Sequence, residues 1–315
     1  MSTNWKNNPP WPVILITGPT AAGKSALIKS LLQFDIEVIN GDSQQVYLYT
    51  DIATAKPSEA EKSLCPHHLF DILEPNRQFT VGDFVKGVSA LIPEIIGRGH
   101  LPVVIGGTGF YFKNLLFGLP ETPPADELVR ARLLVELESQ PLAGFYSELQ
   151  RLDPSYAEKI ASNDKVRILR ALEVFRLTGR PLSSFHQNSK ADPRFCFLLL
   201  GLNRDREDLY QRIEKRVEQM FHSGLIEEIR GLLGRGYNFA DPGLKGIGYR
   251  EFTSYLSGCL SLDGLKELIK LNSRHYAKRQ ITFFKALEGI KWFHPDDNEG
   301  ILGEIRDFLK KFPVS

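Results

Sequence analysis

Eight residues near the N-terminus, Gly18-Pro19-Thr20-Ala21-Ala22-Gly23-Lys24-Ser25, have the types and spacing to hold phosphate. They fill every fixed position of G-x-x-x-x-G-K-[ST]. The glycines let the backbone close around phosphate oxygens, and successive N–H groups with the start of a following helix face the anion. Lys24 supplies a point charge, and the Ser25 hydroxyl suits a magnesium ion. A second candidate is Asp42, in Gly41-Asp42-Ser43-Gln44-Gln45. A third stretch, Gly106-Gly107-Thr108-Gly109, stands where nucleoside triphosphatases and kinases usually carry an acidic magnesium partner, yet it holds no acid. Asp42 is the only acid so placed. A small-molecule kinase, with Asp42 as base or metal partner, is the first generic reading.

These residues need elements to position them. Val13-Ile14-Leu15-Ile16 reads as a buried strand, and a helix follows the loop to about Gln33. Ile36 to Asn40 is a second strand, so Asp42 falls at a strand's carboxyl end, where open parallel sheets bind ligands. Residues 51–66 read as a loop, and 68–72 as a third strand. Thr80 opens a helix whose Phe84, Val88, Leu91, Ile92 and Ile95 share one face, with Gly97 and Gly99 stopping it. Leu101 to Ile105 is another buried strand. The alternation predicts an α/β protein: a phosphate-loop-NTPase-like parallel sheet flanked by helices. A proline-rich hinge, Leu119 to Pro124, then opens a stretch of helices only, near 126–138, 141–151, 153–160 and 164–178. This gives a catalytic core over 12–118 and 190–293, a helical insertion domain over 119–189, and a C-terminal helix and tail over 294–315. Phe195 to Leu200 returns the chain to the sheet, and helices follow near 205–222, 224–234, 261–288 and 300–311.

With 42% hydrophobic and 24% charged residues, the chain of 315 has the composition of a soluble globular protein. Cys65, Cys196 and Cys259 are scattered and odd in number, which suits a reducing compartment. Cys65-Pro66-His67-His68 lacks a second ligand pair for zinc. No apolar run reaches the length of a membrane span, and residues 1–10 lack a signal-peptide core, so a cytoplasmic, non-membrane protein is expected. The net charge of +1 conceals segregation. Lys165, Arg167, Arg170, Arg176 and Arg180 cluster in the insertion. Arg204, Arg206, Arg212, Lys215 and Arg216 follow the return strand. Lys266, Lys270, Arg274, His275, Lys278, Arg279 and Lys285 run along the long helix. Three basic stripes are the footprint of a phosphate backbone, although each alone could be a solvated helix face. Tyr249, Tyr276, Phe283 and Phe284 could stack bases, but aromatics at that spacing are more often core.

The same segments resemble the bacterial type of tRNA dimethylallyltransferases, also called tRNA isopentenyltransferases. The resemblance rests on the phosphate loop, Asp42 to Tyr47, Asp51 to Pro57, Pro66 to Leu69, Gly106 to Tyr111, Arg167 to Glu173, Gly246 to Glu251 and Lys278 to Gln280. It covers residues 13 to about 293. Ala53 stands where the family commonly has glycine. Eukaryotic members often add a C-terminal zinc finger, and a sequence stopping at Ser315 without one suggests the bacterial form.

The resemblance implies transfer of a dimethylallyl group from dimethylallyl diphosphate to the exocyclic amine of the adenosine just 3′ of the anticodon in certain tRNAs. A diphosphate would then fill the loop, held by Gly18 to Ser25 with Mg²⁺ at Ser25 and reached by Arg216. Asp42 becomes the candidate base for the adenine amine, with Lys24 and Ser25 serving the leaving group. Ser43, Gln44 and Gln45 would hold the adenine edge. The family pattern further implies tRNA contacts from Thr108 and Arg130, and from Val166, Arg167, Ile168, Leu169 and Arg170. It also implies them from Lys245, Gly246, Ile247, Gly248, Tyr249 and Arg250, and from Lys278, Arg279, Gln280, Ile281, Thr282, Phe283, Phe284 and Lys285. Ile168 and Leu169 suit packing better than RNA. A monomer is expected. The competing readings are a phosphate-loop small-molecule kinase, an adenylate isopentenyltransferase acting on free nucleotides, and an RNA-binding module with a degenerate loop.

Overall fold

The structure, a computed structural model, describes residues 9–186 and 190–312. Most of the stretch read for a signal peptide, and the last three residues of the tail, lie outside them. Among the described residues, six strands form one parallel sheet in the order β3-β2-β4-β1-β5-β6. They are β1 Trp11–Thr17, β2 Ile36–Asn40, β3 His67–His68, β4 Leu101–Gly106, β5 Phe195–Leu202 and β6 Lys291–Phe293. The central strands are continuous apolar runs because helices cover both faces of the sheet. Val13, Ile14, Leu15 and Ile16 are fully buried, as are Ile39 and Val104.

Strand register decides where the functional loops emerge. Thr17 pairs with Gly106 on one side and with Gly201 on the other, and Asn40 pairs with Ile105. The segments after β1, β2 and β4 therefore leave the sheet at one level. Gly106 must lack a side chain, since a Cβ there would lie 2.1 Å from the Gly41 carbonyl oxygen. Thr17 Oγ1 donates to the Gly106 carbonyl at 3.2 Å and locks the two strand ends.

Several expectations need correction. The helix after the phosphate loop is broken into a 3-10 turn at Ser25–Leu27, one α turn at Ile28–Leu31 and another 3-10 turn at Leu32–Phe34. Strand β3 stops at His68 because Leu69 (φ 61) and Asp71 (φ 53) are left-handed, a conformation a strand cannot contain. Gly97 lies inside the Val81–Arg98 helix, and Gly99 (φ 87) ends it. That helix opens with a reciprocal cap, Asp83 N donating to Thr80 Oγ1 and Thr80 N to Asp83 Oδ2. The short strand β6 and the helix Gly109–Phe117 were not expected. The C-terminal helix Asn298–Leu309 is no detached tail: Ile301, Ile305 and Phe308 enter the same core as the sheet.

The chain divides into two compact units, one of residues up to Leu116 and from Asp192 onward, the other Phe117–Ala191. The second unit is helical, with Glu127–Ser139, Leu142–Leu152 and Lys165–Thr178 as its main elements. The helix expected over 153–160 is a single turn, Pro154–Ala157. Leu133, Phe145, Leu149, Ile168 and Leu172 form this unit's own core. In the first unit, the helices Arg206–His222, Leu225–Gly234 and Leu262–Lys285 build a second core around Val217, Ile229, Tyr249, Phe252 and Ile269.

Candidate active site

A cavity of about 700 Å³ opens at the carboxyl ends of the strands. Seven parts of the first unit line it: the phosphate loop after β1, the Asp42–Gln45 turn after β2, residues 53–55, the end of β4 at Gly106, one face of each of two long helices, and the Lys245–Arg250 loop. Ile269, Ser273, Tyr276 and Gln280 recur at steps of four, three and four along Leu262–Lys285, which is one helical face. Arg212, Arg216 and Met220 do the same on Arg206–His222.

The phosphate loop has the backbone an anion cradle requires. Gly18 (φ 149) has no room for a side chain, as a Cβ would lie 2.5 Å from the Leu202 carbonyl oxygen. Gly23 (φ 100) and Ala21 (φ 63) are also outside the right-handed region. Lys24 Nζ donates to the carbonyls of Gly18 (2.9 Å) and Pro19 (2.8 Å). Desolvation lowers its pKa to about 8; Asp42 opposes this and Arg216 adds to it. Arg216 donates to Thr20 Oγ1 at 2.9 Å and to the Ala53 carbonyl at 3.0 Å, while its Nε is buried without a hydrogen-bond partner. Burial holds this guanidinium below its usual pKa. Ser25 is exposed on the cavity wall.

Among the described lining residues, Lys24, Arg212, Lys215, Arg216, Lys245, Arg250 and Arg279 are cations, and Asp42 is the lone carboxylate. Such a cavity suits a ligand of high negative charge. Asp42 is fixed by Asn40, whose Oδ1 accepts from the Asp42 N–H (2.8 Å) and whose Nδ2 donates to the Asp42 carbonyl (3.0 Å). Its own Oδ1 accepts from the Gln44 N–H at 2.9 Å. Ser43 N donates to Thr108 Oγ1 at 2.9 Å, so Thr108 lies against this turn. The two glutamines differ. Gln45 Nε2 is engaged by the carbonyls of Thr54 (2.9 Å) and Ala55 (3.1 Å), whereas Gln44 Oε1 is buried without a partner. Gly246 makes room for Gln44, since a Cβ there would meet its Oε1 at 2.6 Å.

Several residues expected at an RNA surface are turned inward. Ile168 and Leu169 belong to the core of the helical unit, because they occupy the apolar face of Lys165–Thr178. Tyr249 is fully buried, and its hydroxyl donates to Glu228 Oε1 at 2.6 Å. Gly248 (φ 97) is buried against Ala53. Phe284 packs edge-on to Phe112 in the sheet core, Phe283 packs against that core, and Ile281 packs beside Leu209 and Ile213. Gln280, 5% exposed, joins the phosphate loop to the Gly107 turn: its Oε1 accepts from Thr20 N and its Nε2 donates to the Gly107 carbonyl, both at 2.8 Å. By contrast Lys245, Arg250, Lys278, Arg279, Thr282 and Lys285 are exposed. Arg130, Val166 and Arg167 are exposed on the helical unit, where Arg170 pairs with Glu173 at 3.1 Å.

The basic stripes are also less free than their residue types suggest. Lys266 and Lys270 pair with Glu218, Arg274 with Glu214, and Arg176 with Glu136. The acids come from neighbouring elements, so reading one helix at a time misses them. Tyr276, which the sequence leaves open between a base-stacking and a core aromatic, lines the cavity. Burial, and then the nearby Asp42 carboxylate, push the pKa of its phenol above the usual value. The spacing 269-273-276-280 was the signal that could have decided it.

No group of three or more His, Cys, Asp or Glu among the described residues could hold a metal by itself. A magnesium ion needs fewer protein ligands, since one or two side chains with phosphate oxygens and water suffice. Ser25, whose side chain is exposed on the wall of that cavity, fits that requirement with phosphate oxygens and water as the other ligands.

Comparison with known proteins agrees with this geometry. The model of the family described as IPP transferase matches residues 45–287. The chain is 44% identical to the tRNA dimethylallyltransferase of Geobacter sulfurreducens, over 89% of this chain and 91% of that one. It is 43% identical to the enzyme of the same name from Geobacter metallireducens, over 94% and 97%. The solved tRNA isopentenylpyrophosphate transferase of Bacillus halodurans superposes with a TM-score of 0.69 at 36% identity, covering 95% of this chain and 96% of that one. A eukaryotic dimethylallyltransferase solved acting on tRNA superposes at 0.82 and 29% identity, covering 97% and 81%. With a family match over most of its length and relatives this similar across nearly all of it, the chain belongs to the IPP transferase family.

Proposed function

We propose that this protein transfers the dimethylallyl group of dimethylallyl diphosphate to the N6 amine of the adenosine 3′ of the anticodon in tRNA, releasing diphosphate. The observation that carries the proposal is the shared cavity. It places a phosphate loop and seven cations around a single carboxylate, Asp42, with an apolar wall of Ile213, Val217, Met220, Ile247 and Ile269. The cations suit the diphosphate, and the apolar wall suits a five-carbon chain. Relatives with 43–44% identity carry the name tRNA dimethylallyltransferase.

The chemistry follows from those parts. The allylic C–O bond breaks, and its electron pair leaves with the diphosphate. Loop amides, Lys24 and Arg216 face that oxygen charge as it grows. The adenine nitrogen forms the new C–N bond and gives up a proton, for which Asp42 is the acceptor. Asn40 and the Gln44 amide hold Asp42 in place while this happens. Mg²⁺, held by Ser25 together with phosphate oxygens and water, would neutralise diphosphate charge when bound. The base must leave its stack to enter the cavity. Exposed Lys245, Arg250, Lys278, Arg279 and Lys285 are the tRNA phosphate contacts of this reading, with Thr108 and Arg130 as further contacts. We take the enzyme to act as a cytoplasmic monomer.

The test uses an unmodified anticodon stem-loop, Mg²⁺ and dimethylallyl diphosphate labelled in the prenyl group. Label should move to the RNA, and its failure to do so overturns the proposal. Running γ-labelled ATP in parallel separates a kinase, which would consume ATP without RNA.

A further inference from the structure

Arg204 stands just beyond β5, and its side chain is only 6% exposed. Its charge type and its place in the second basic stripe suggest an RNA contact, but its partners are all inside the protein. Nε donates to the Ala22 carbonyl of the phosphate loop at 3.1 Å. Nη1 donates to Asp208 Oδ2 at 3.1 Å and to Asp296 Oδ2 at 3.3 Å, and Nη2 donates to Asp296 Oδ1 at 2.7 Å. Asp208 also accepts from Arg212 Nε at 2.9 and 3.2 Å, and Arg212 lines the cavity. The network thus runs from the segment after β6, through Arg204, to the loop backbone, and through Asp208 to a cation of the site.

We propose that Arg204 is a positioning residue for the transfer reaction: it clamps the Ala22 carbonyl and so aims the phosphate loop at the diphosphate. This rests on the reading that a diphosphate occupies the loop. The argument is geometric. The Ala22–Gly23 peptide is planar, and its C=O and N–H point in opposite directions. A guanidinium that holds the carbonyl on one side fixes the Gly23 N–H on the other, away from Arg204. Gly23 lines the cavity, and its φ of 100 belongs to a loop that cannot relax into ordinary right-handed backbone without turning that peptide. Ala21, at φ 63, is a left-handed non-glycine residue beside it, a conformation that persists only where the surroundings enforce it. Arg204 is one of those surroundings. Only arginine meets the geometry, because three separate acceptors need a forked donor.

The role of the two aspartates follows. Asp208 and Asp296 offset the buried charge, so Arg204 grips a carbonyl without adding a bare cation next to Lys24. Asp296 sits in the segment between β6 and the helix Asn298–Leu309, far from the loop in sequence. The C-terminal segment therefore helps shape the anion site without touching the ligand.

The experiment compares wild type, Arg204→Ala, Arg204→Lys and Asp296→Asn. It measures KM for dimethylallyl diphosphate, kcat, tRNA affinity, and folding by circular dichroism. Wild type must first transfer label to RNA; if it does not, the functional reading fails rather than this one. Arg204→Ala should lower kcat/KM for the diphosphate about tenfold or more, the effect of losing a charge-assisted hydrogen bond. Its tRNA affinity should stay within about twofold of wild type, and Arg204→Lys should recover part of the loss. Wild-type diphosphate kinetics in folded Arg204→Ala overturn the proposal, and so does an equal loss in tRNA affinity. Should Arg204→Ala not fold, Asp296→Asn decides. It keeps the guanidinium but loosens its orientation, so a raised KM for the diphosphate supports the clamp and an unchanged one overturns it.

Discussion

The Thr20 N–H donates to Gln280 Oε1 at 2.8 Å, joining the phosphate loop to a residue 260 positions later in the chain. The other end of the same amide donates to the Gly107 carbonyl. One buried side chain thus spans two of the turns that form the site.

Gln280→Ala leaves a buried N–H and a buried carbonyl without partners, a cost of about 1–3 kcal/mol each. The expected outcome is a raised KM for dimethylallyl diphosphate with tRNA affinity within about twofold of wild type, because the buried amide faces the two turns and not the surface. Weakened tRNA binding with a normal diphosphate KM would instead make Gln280 an RNA contact. Steady-state kinetics with a gel-shift titration separates these outcomes.

Asp42→Asn keeps the shape of the turn and removes the base. Loss of a positioned general base lowers turnover by about 10²–10⁴. Single-turnover transfer of labelled prenyl group measures this, with tRNA affinity as the control. A rate near wild type removes Asp42 from the role of base.

Desolvation by burial pulls the Lys24 ammonium from its ordinary pKa down to about 8. Below that pH the ammonium is charged; as pH rises through it, the charge is lost. A bound diphosphate favours the charged form. Binding at pH 8.5 should therefore take up more protons in wild type than in Lys24→Met, and the difference should vanish near pH 6.5. Calorimetry in two buffers of different ionisation enthalpy counts the protons. Equal counts at pH 8.5 would contradict a lysine at the anion.

Glu37, on β2, is 1% exposed and surrounded by Arg98 (2.7 Å to each oxygen), His68 Nε2 and His100 Nδ1, both at 2.6 Å. Burial would raise its pKa, but Arg98 and the imidazoles override this and hold it at about 2. Its stabilisation is present above the unfolded value of 4.5 and disappears as pH falls from there toward about 2. Glu37→Gln should cost about 1–3 kcal/mol at pH 7, the loss of charge-assisted hydrogen bonds to a buried carboxylate whose arginine partner stays 45% exposed. Urea unfolding at several pH values should show the gap narrowing below pH 4.5. A gap that stays constant down to pH 3 would show that charge is not what Glu37 contributes.

Lys278→Ala removes an exposed cation from Leu262–Lys285. Loss of one phosphate contact should weaken tRNA binding and reduce the slope of log affinity against log salt by about 1. Diphosphate KM should not move. An unchanged salt slope places Lys278 outside the RNA contact.

The sheet and its loops were legible in the sequence because their signals are local. A strand, G-x-x-x-x-G-K-[ST] and a strand ending two residues before Asp42 are contiguous patterns. The rest was decided by distant partners. Nothing near Gln280 in sequence says that Thr20 and Gly107 will meet it. Nothing near Arg204 announces Asp296. The stripe Lys266, Lys270, Arg274 looks unopposed until Glu214 and Glu218 arrive from another helix. Strand β3 ended early for a different reason: left-handed backbone at Leu69 and Asp71 has no strong mark in residue type.

The strand order has a consequence for substrate size. The phosphate loop follows β1 and Asp42 follows β2, with β4 between them. Neighbouring strands stand about 4.8 Å apart, so the ends of the two strands that carry the phosphate loop and the Asp42 turn stand about 9–10 Å from each other. That span is a ruler built from main-chain hydrogen bonds, and side-chain replacement cannot lengthen it. In the proposed reaction, a change in the length of prenyl donor accepted is expected from the wall formed by Ile213, Val217, Met220 and Ile269, while the strand frame that carries loop and turn stays constant.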